Sequence, residues 1–360
     1  MIRITSILLL LALIISNNGH AAVTEHADDT AGCQKTDWGL RAVTEGQWDM
    51  TNGRGAWVSL LQGDISIKLW RKARAEAGAL STYTCGNDLG GVMQDFSNIN
   101  AANRGFRLVH LGLQQELGSN VLLFAGLRQA DEDYFTGELA GLFTGASYGC
   151  PPIVNDNFGI NVYPTSALGL HAEWRFSEAV VLKTSLYNGL SDDRFSHQFR
   201  FRPRRDGIIN LGSVSYTAAA DTDGLPAYYN FTYNVGNHRH DHRESRHTQF
   251  GFFVTAEQPL LHMGRTRLSV MATGAMEFND PQEAKGYWNA AVALDNVTKR
   301  GGTLGLSVNR AYYVESHETD LEGTFSLPLT GFLSLQPSIH YFCSSGDRRV
   351  IGLLRLAAEF

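Results

Sequence analysis

Charged and hydrogen-bonding side chains recur at every second position in several segments of the chain. In the segment 166–176, one row of side chains contains His171, Glu173 and Arg175, and the other row is mostly apolar. A guanidinium group donates several N–H groups and a carboxylate accepts hydrogen bonds. Such a row can hold a polar solute by weak, exchangeable hydrogen bonds, without making or breaking a covalent bond.

A second row of this kind lies in the segment 195–202. Arg200 and Arg202 alternate there with Phe199 and Phe201. On a strand, two such arginines would lie about 7 Å apart, which suits two neighbouring hydroxyl groups of one solute. The candidate set is completed by three side chains elsewhere in the sequence: Arg128, Glu257 and Arg355. Each of the candidates could instead be a wall charge that pairs with its neighbour and keeps the surface wet.

Histidines at alternate positions offer a different chemistry. The segment 237–247, NHRHDHRESRH, contains His238, His240 and His242 at alternate positions and His247 farther on. Histidines on one strand face could bind a metal ion. The arginines between them would repel a cation, and the composition is also that of a solvated loop, so the sequence predicts no metal site.

Ser338 and His340 could provide a nucleophile and a base, as in a hydrolase that acts on membrane lipids. They lie two residues apart on the polar row of one segment, which would place them away from lipid. The sequence shows no further convincing nucleophile arrangement, so we expect no enzyme and no cofactor.

The elements that position these side chains are β-strands. A period of two along the chain indicates a strand with two different faces. The pattern is clear in 166–176 and 333–341, and the chain ends with it in 349–360, RVIGLLRLAAEF. A final strand that alternates up to a terminal Phe360 is common in outer-membrane barrels.

Composition supports a protein of many strands and tight turns. Hydrophobic residues make up 43% of the chain and aromatic residues 11%, with 37 glycines against 9 prolines. No stretch after residue 22 approaches the roughly 18 uncharged apolar residues of a membrane-spanning helix. The mild net charge of −6 argues against a partner of nucleic acid.

The first residues read as an export signal. Arg3 precedes the apolar run 7–15, and small residues follow at 19–22. This run is too short to span a bilayer, so the pattern predicts a signal peptide at 1–21 rather than an anchor. We expect a periplasmic lead-in at 22–37 and one transmembrane domain at 38–360.

A closed membrane barrel fits the remaining pattern better than a soluble sandwich. Several polar rows carry more than one charge, and tryptophans such as Trp38, Trp48 and Trp70 fall near expected strand ends, as in an aromatic girdle. At about 20 residues per strand and connection, the sequence predicts an all-β, antiparallel outer-membrane β-barrel of roughly 16 strands. The glycine-rich segment 131–149 is a candidate constriction loop.

The four cysteines do not form a motif. Cys33, Cys85, Cys150 and Cys343 are far apart and include no CxxC pair, which argues against a zinc site. In an exported chain they could form one or two disulfides or remain free thiols.

Several blocks of the sequence resemble the OprB-type carbohydrate-selective porins, in order and spacing from about residue 106 to 360. The blocks are LRQADEDYFTGELAGLFTGASYG at 127–149, YP followed by ALG at 163–169, YNG at 187–189, FRF followed by DG at 199–207, AEQ at 256–258, SLQP at 334–337, and the closing RVIGLLRLAAEF. Three positions depart from the family pattern: Asn188 and Ser213 each stand in place of an expected acid, and Tyr148 stands in place of a phenylalanine.

The resemblance implies passive diffusion of glucose or similar small sugars through an arginine-lined aqueous pore in the bacterial outer membrane. The pore lining would include Arg128, His171, Glu173, Arg175, Arg200, Arg202, Glu257 and Arg355. The implied partners are outer-membrane lipids and lipopolysaccharide, and the barrel-assembly machinery through Phe360, with the protein a monomer or trimer. A general or anion-preferring porin is the alternative, and a lipid hydrolase is a more distant one.

Overall fold

Sixteen strands make up most of the chain that the computed structural model describes, which is residues 36–135, 137–157, 159–191, 194–218, 226–239, 246–279 and 283–360. The strands are β1 Thr36–Asp49, β2 Arg54–Trp70, β3 Ala73–Gly86, β4 Arg104–Leu117, β5 Val121–Arg128, β6 Ala167–Arg175, β7 Val180–Asn188, β8 Gly207–Thr217, β9 Tyr228–Arg239, β10 Arg246–Met263, β11 Thr266–Glu277, β12 Ala284–Asp295, β13 Thr303–Tyr313, β14 His317–Pro328, β15 Leu333–Ser344 and β16 Arg348–Glu359.

The strands form one closed antiparallel barrel. Each strand pairs with its neighbours in sequence, and β16 pairs with β1 in the register Arg41↔Glu359 to Asp49↔Ile351. We call this last pairing the seam. The prediction of roughly 16 strands is confirmed, and a barrel of this width cannot fill its interior with the side chains of its own wall.

Side chains alternate between the two faces of the wall as the period of two predicts. On β6, Leu170 is 59% and Trp174 is 47% exposed on the outer face, whereas His171 is buried on the inner face. The outer face is apolar along most strands, and Trp38 near the start of β1 is 66% exposed. This surface is suited to lipid.

The connections are unequal at the two ends of the barrel. Connections 87–103, 129–166 and 189–206 all leave one end, which we call the loop end. The opposite end, the turn end, includes connections as short as 71–72 and 264–265. This asymmetry is the usual one for bacterial barrels, in which long loops share one side.

The helices are single turns within these connections. They are α1 Asp131–Tyr134, α2 Ala146–Gly149, α3 Pro152–Asn155 and α4 Pro203–Asp206, with 3₁₀ turns at Ala140–Leu142 and Phe195–His197. Among the described residues, no helix has the length and apolar character needed to cross a membrane.

The prediction of a strand at 195–202 is wrong. The segment begins with a 3₁₀ turn at Phe195–His197 and continues as irregular chain, so Arg200 and Arg202 lie in the connection between β7 and β8. These two strands already pair with each other along their length, from Val180↔Tyr216 to Asn188↔Ile208, which leaves no free edge between them for another strand. Alternation alone therefore did not make a strand here.

Some sequence predictions fall outside the described residues. These are the signal peptide 1–21, nearly all of the lead-in 22–37, Cys33, and the histidines His240 and His242. The barrel begins at Thr36, two residues before the predicted start. Cys85, Cys150 and Cys343 are free thiols.

Thiol labelling of β6 tests the assignment of its two faces. In a chain whose native cysteines are replaced by serine, single cysteines at positions 173 and 175 should react with a membrane-impermeant maleimide. Cysteines at 170 and 174 should not react in lipid vesicles, because they point away from the lumen. Similar labelling at all four positions would contradict the strand assignment.

Candidate functional site

The interior of the barrel is crossed by the connection 129–166, which we call the inward loop. Tyr134 near its start has its hydroxyl 2.8 Å from Ser185 Oγ on β7. Farther along, the Tyr148 hydroxyl accepts a hydrogen bond from Ser307 Oγ on β13 at 2.7 Å. Gln336 on β15 donates to the carbonyl of Leu142 at 2.6 Å. The loop therefore contacts opposite walls and narrows the lumen, as the candidate role of 131–149 required.

Two buried carboxylates of the wall bind the backbone of this loop. Glu257 on β10 accepts hydrogen bonds from the backbone N–H groups of Leu139 and Ala140, each at 3.1 Å. Glu322 on β14 accepts them from Thr144 at 2.7 Å and from Gly145 at 3.2 Å. These charge-assisted bonds satisfy N–H groups that would otherwise be buried without partners. Glu257 and Glu322 therefore anchor the inward loop.

A second inward loop, the connection 87–103, lies beside the first. Glu318 on β14 accepts a hydrogen bond from the backbone N–H of Gln94 at 2.7 Å. Asn98 donates its backbone N–H to the carbonyl of Thr144 at 2.7 Å, and Ala146 donates to the carbonyl of Asp95 at 2.9 Å. The two loops thus form one packed unit inside the barrel.

The second inward loop also contacts the seam. Arg355 on β16 donates to Glu45 on β1 at 2.6 Å and to Asn98 at 2.7 Å. Glu45 in turn accepts a hydrogen bond from Ser97 Oγ at 2.7 Å. Glu45 and Arg355 are both buried, so this ion pair is shielded from water.

A network of charges lies along the inner face of β2–β5 and on α1. Its central cation is Arg128, which binds Asp133 through Nε at 2.7 Å and Nη2 at 2.8 Å. Arg128 also lies 3.6 Å from Glu132, and His110 Nδ1 lies 3.0 Å from the same carboxylate. We call this group the charge network; its members are Asp64, Glu76, His110, Arg128, Glu132 and Asp133. Four carboxylates surround the two basic side chains, so each base faces at least one carboxylate and the network carries a net negative charge.

A smaller charged group lies on β6 and β7. Arg175 Nε donates to Glu173 at 3.0 Å, and Lys183 Nζ lies 3.8 Å from the same carboxylate. His171 is buried, with Nδ1 2.7 Å from Ser185 Oγ and Nε2 3.5 Å from Asp133. The wall from β8 to β12 contributes the buried acids Glu257 and Glu277 and several buried neutral groups such as Thr232.

Six of the eight predicted lining residues lie on the inner face of the wall. Arg128, Glu173 and Arg175 contact the charged groups just described. Glu257 and Arg355 are covered by the inward loops and bind them, and His171 is likewise buried. Arg200 and Arg202 are not on a strand, and Arg202 donates its backbone N–H to Asn188 at 2.8 Å.

Sequence reasoning missed the anchoring acids of β14. Glu318, Asp320 and Glu322 alternate in the segment 317–323, HETDLEG, and all three are buried on the inner face. Their alternation in the sequence could have indicated three acids on one face of a strand. If that face is buried, the acids require hydrogen-bond or ion-pair partners. The partners themselves lie in distant loops and could not be read from the segment.

Two aspartates of the inward loop have raised pKa values. Burial raises the pKa of Asp131 to about 7, although a hydrogen bond from the backbone N–H of Tyr163 partly opposes this. Burial also raises the pKa of Asp156 to about 7. Both carboxyls therefore carry a proton near neutral pH more often than an exposed aspartate would.

Three possible metal ligands lie together on β14 and β15. Asp320, Glu322 and His340 each offer one ligand atom, and these atoms lie within 4.8 Å of one another. His340 Nδ1 lies 3.1 Å from Asp320, and its Nε2 lies 2.9 Å from Thr144 Oγ1. Because Glu322 also binds the inward loop, these donors are already engaged within the protein, and the cluster is explained as a loop anchor.

Comparisons with known proteins agree with this architecture. The sequence model of the family described as "Carbohydrate-selective porin, OprB family" matches residues 79–292. A search of curated proteins finds no match.

Solved porin structures share the fold. The structure of Pseudomonas putida OprB at high pH has a TM-score of 0.78 and 14% identity, covering 91% of this chain and 94% of that one. Its low-pH structure has a TM-score of 0.62 and 15% identity, covering 91% and 93%. An anion-selective porin from Comamonas acidovorans has a TM-score of 0.60 and 10% identity, covering 90% and 99%.

Proposed function

The chain belongs to the OprB family of carbohydrate-selective porins, and from this premise we propose that small neutral sugars diffuse passively through its lumen. The family and the closed barrel imply a channel in the bacterial outer membrane rather than an enzyme. The permeants would be glucose or sugars of similar size, and the path would run past the inward loop.

The observation that carries this proposal is that the arginines named along the lumen are each paired with a carboxylate. Arg128 binds Asp133, Arg175 binds Glu173, and Arg355 binds Glu45. A pore in which each of these cations faces a carboxylate offers them to no anion, and its many donors and acceptors can replace the water around a polyol. Sugar hydroxyls would exchange along Arg128, Glu132, Glu173 and Arg175.

The same observation weighs against the anion-preferring alternative. Such a pore needs uncompensated positive charge at its narrow part. The lipid-hydrolase alternative has no support either, because Ser338 Oγ lies 2.7 Å from Thr324 and His340 contacts Asp320 and Thr144. Their mutual arrangement is not that of a nucleophile and its base.

The expected partners follow from the membrane location. Phe360 stacks on Phe332 with ring centroids 5.2 Å apart, and its backbone N–H donates to the carbonyl of Leu40 at 2.9 Å. We propose that the barrel-assembly machinery reads this aromatic residue, and that outer-membrane lipids surround the barrel.

Swelling of proteoliposomes tests the sugar pathway. Glucose should enter faster than gluconate, an anion of similar size, because the named lumen arginines are paired and the surplus carboxylates repel an anion. In planar bilayers, the variant Glu132→Gln should shift the reversal potential in a KCl gradient towards anions, since His110 and Arg128 then lose one balancing charge.

The control is Gln62→Asn, a neutral change on the inner face of β2, which should leave the reversal potential unchanged. If the purified protein conducts chloride but gives no swelling with glucose, the sugar proposal is wrong and the anion-preferring alternative takes its place.

A further inference from the structure

The connection between β7 and β8 combines arginine and phenylalanine at the surface. Its segment 199–205, FRFRPRR, contains four arginines and two phenylalanines. Phe199 is 44% and Phe201 is 54% exposed. Arg202, Arg204 and Arg205 are exposed and Arg200 is half-buried. An exposed apolar patch bordered by charged side chains commonly marks an interaction site. Here the ligand that fits would have an anionic part and an apolar part.

This segment lies on the outer side of the barrel at the loop end. Just before it, the ring of Phe195 packs against that of Phe106 on the outer face of β4, with centroids 5.7 Å apart. Near its end, Arg246 donates to the carbonyl of Pro203 at 2.9 Å. Arg246 points outward from β10, because its neighbour His247 faces inward with the buried Gln249. The segment is thus attached to the outer face at both ends and does not enter the lumen.

A side-chain amide fixes the start of the segment. Gln198 is buried and donates through Nε2 to the carbonyl of Leu108 at 2.9 Å and to Ser166 Oγ at 2.7 Å. The pairing of β4 with β5 begins only at Leu111↔Leu127. Gln198 therefore provides the Leu108 carbonyl of β4 with a hydrogen-bond donor at a position that β5 does not reach. The arginines that follow are therefore presented from a fixed backbone.

The arginines of this segment differ from those of the lumen in their surroundings. In the described part of the chain, no carboxylate lies within ion-pair distance of Arg200, Arg202, Arg204 or Arg205. The nearest acid in sequence, Asp206, is buried, and its carboxylate is turned to Asn188 Nδ2 at 3.4 Å. The segment is consequently a concentration of positive charge beside apolar rings.

We infer that the segment 199–205, with Arg246, binds the phosphate groups of a phosphorylated glycolipid in the surrounding outer leaflet. Guanidinium groups bind phosphate through paired hydrogen bonds, and phenylalanine rings at the barrel surface can contact acyl chains. A lipid fits better than a soluble anion, because only a lipid offers an apolar partner to Phe199 and Phe201. The inference requires the barrel to lie in a membrane and does not depend on the passage of sugar.

A lipid-binding assay tests this site. The full protein in detergent is titrated with lipopolysaccharide that carries its lipid A phosphates, and bound lipid is counted by native mass spectrometry. Replacing Arg200, Arg202, Arg204 and Arg205 together by glutamine should weaken binding at least about tenfold, because several charge-assisted hydrogen bonds are lost. The matched control replaces Arg54 and Arg348 by glutamine; both are exposed at the loop end, on strands away from this segment.

Further measurements separate the possible outcomes. The wild-type protein should bind dephosphorylated lipopolysaccharide at least about tenfold more weakly, which tests the site without any variant. The inference would be overturned if the wild-type protein bound both lipids equally. It would also be overturned if the control variant lost as much lipid binding as the fourfold variant, or if the fourfold variant bound lipid like the wild type. Displacement of the lipid by an equal concentration of inorganic phosphate would do so too, in favour of a small-anion site. Glucose swelling should be unchanged in the fourfold variant, so that a failure of this site and a failure of the sugar proposal are distinguishable.

Discussion

Replacing Glu257 and Glu322 by alanine should release the inward loop from the wall and widen the channel. Each carboxylate accepts two backbone N–H groups of the loop. Hydrogen bonds to a charged acceptor contribute about 1.5–3 kcal/mol each. Losing one anchor, with its two bonds, therefore reduces the stability of the docked loop relative to the undocked loop by about 3 kcal/mol or more. That corresponds to about a hundredfold change in the ratio of docked to undocked loop.

Single-channel conductance and the largest sugar that causes swelling measure this effect. Both should increase in the double variant. The matched control is Asp295→Ala, which removes a carboxylate of β12 that binds Arg267 at 2.7 Å and does not touch the loop in the described structure. If the double variant keeps the wild-type conductance and size limit, the remaining contacts of Tyr134, Tyr148 and Gln336 are enough to hold the loop.

The variant Arg355→Ala should destabilise the barrel at its seam. Glu45 would remain buried without its cation, and breaking a buried ion pair by removing one partner typically costs about 3–5 kcal/mol. The same seam provides a control in the pair Arg41–Glu359, whose side chains are 44% and 68% exposed. The variant Arg41→Ala should cost less than about 1 kcal/mol, because water screens an exposed pair.

Urea titration of the protein folded into vesicles, followed by the mobility of unheated samples in SDS gels, measures both variants. The double variant Glu45→Gln with Arg355→Met should recover most of the lost stability, since no buried charge is left. Equal unfolding midpoints for Arg355→Ala and Arg41→Ala would show that burial of the pair contributes nothing.

The strands could be predicted from local patterns, because alternation on a strand is a property of neighbouring residues. The segments 166–176, 333–341 and 349–360 all contain strands close to their predicted bounds. The segment 195–202 has the same alternation but does not form a strand. Whether a segment pairs depends on a free strand edge nearby, and that is a property of the assembled sheet.

The interior of the barrel was less accessible to sequence reasoning. Glu257 and Ala140 are 117 residues apart in the chain, and Glu322 and Thr144 are 178 residues apart. Arg355 could be assigned to the inner face from its position on the last strand, but not to a buried pair with Glu45, 310 residues away. Local patterns give the direction of a side chain, and only the closed barrel determines what it meets.

The contact between the seam and the second inward loop constrains the order of folding events. Neighbouring strands joined by short turns can pair early, whereas β1 and β16 must meet across nearly the whole chain and are expected to do so late. The hydrogen bonds of Arg355 and Glu45 are complete only when Asn98 and Ser97 of the second inward loop also contact them. We therefore expect the second inward loop to take its place inside the sheet before β1 and β16 pair. Closure then locks sheet and loop in a single cooperative step.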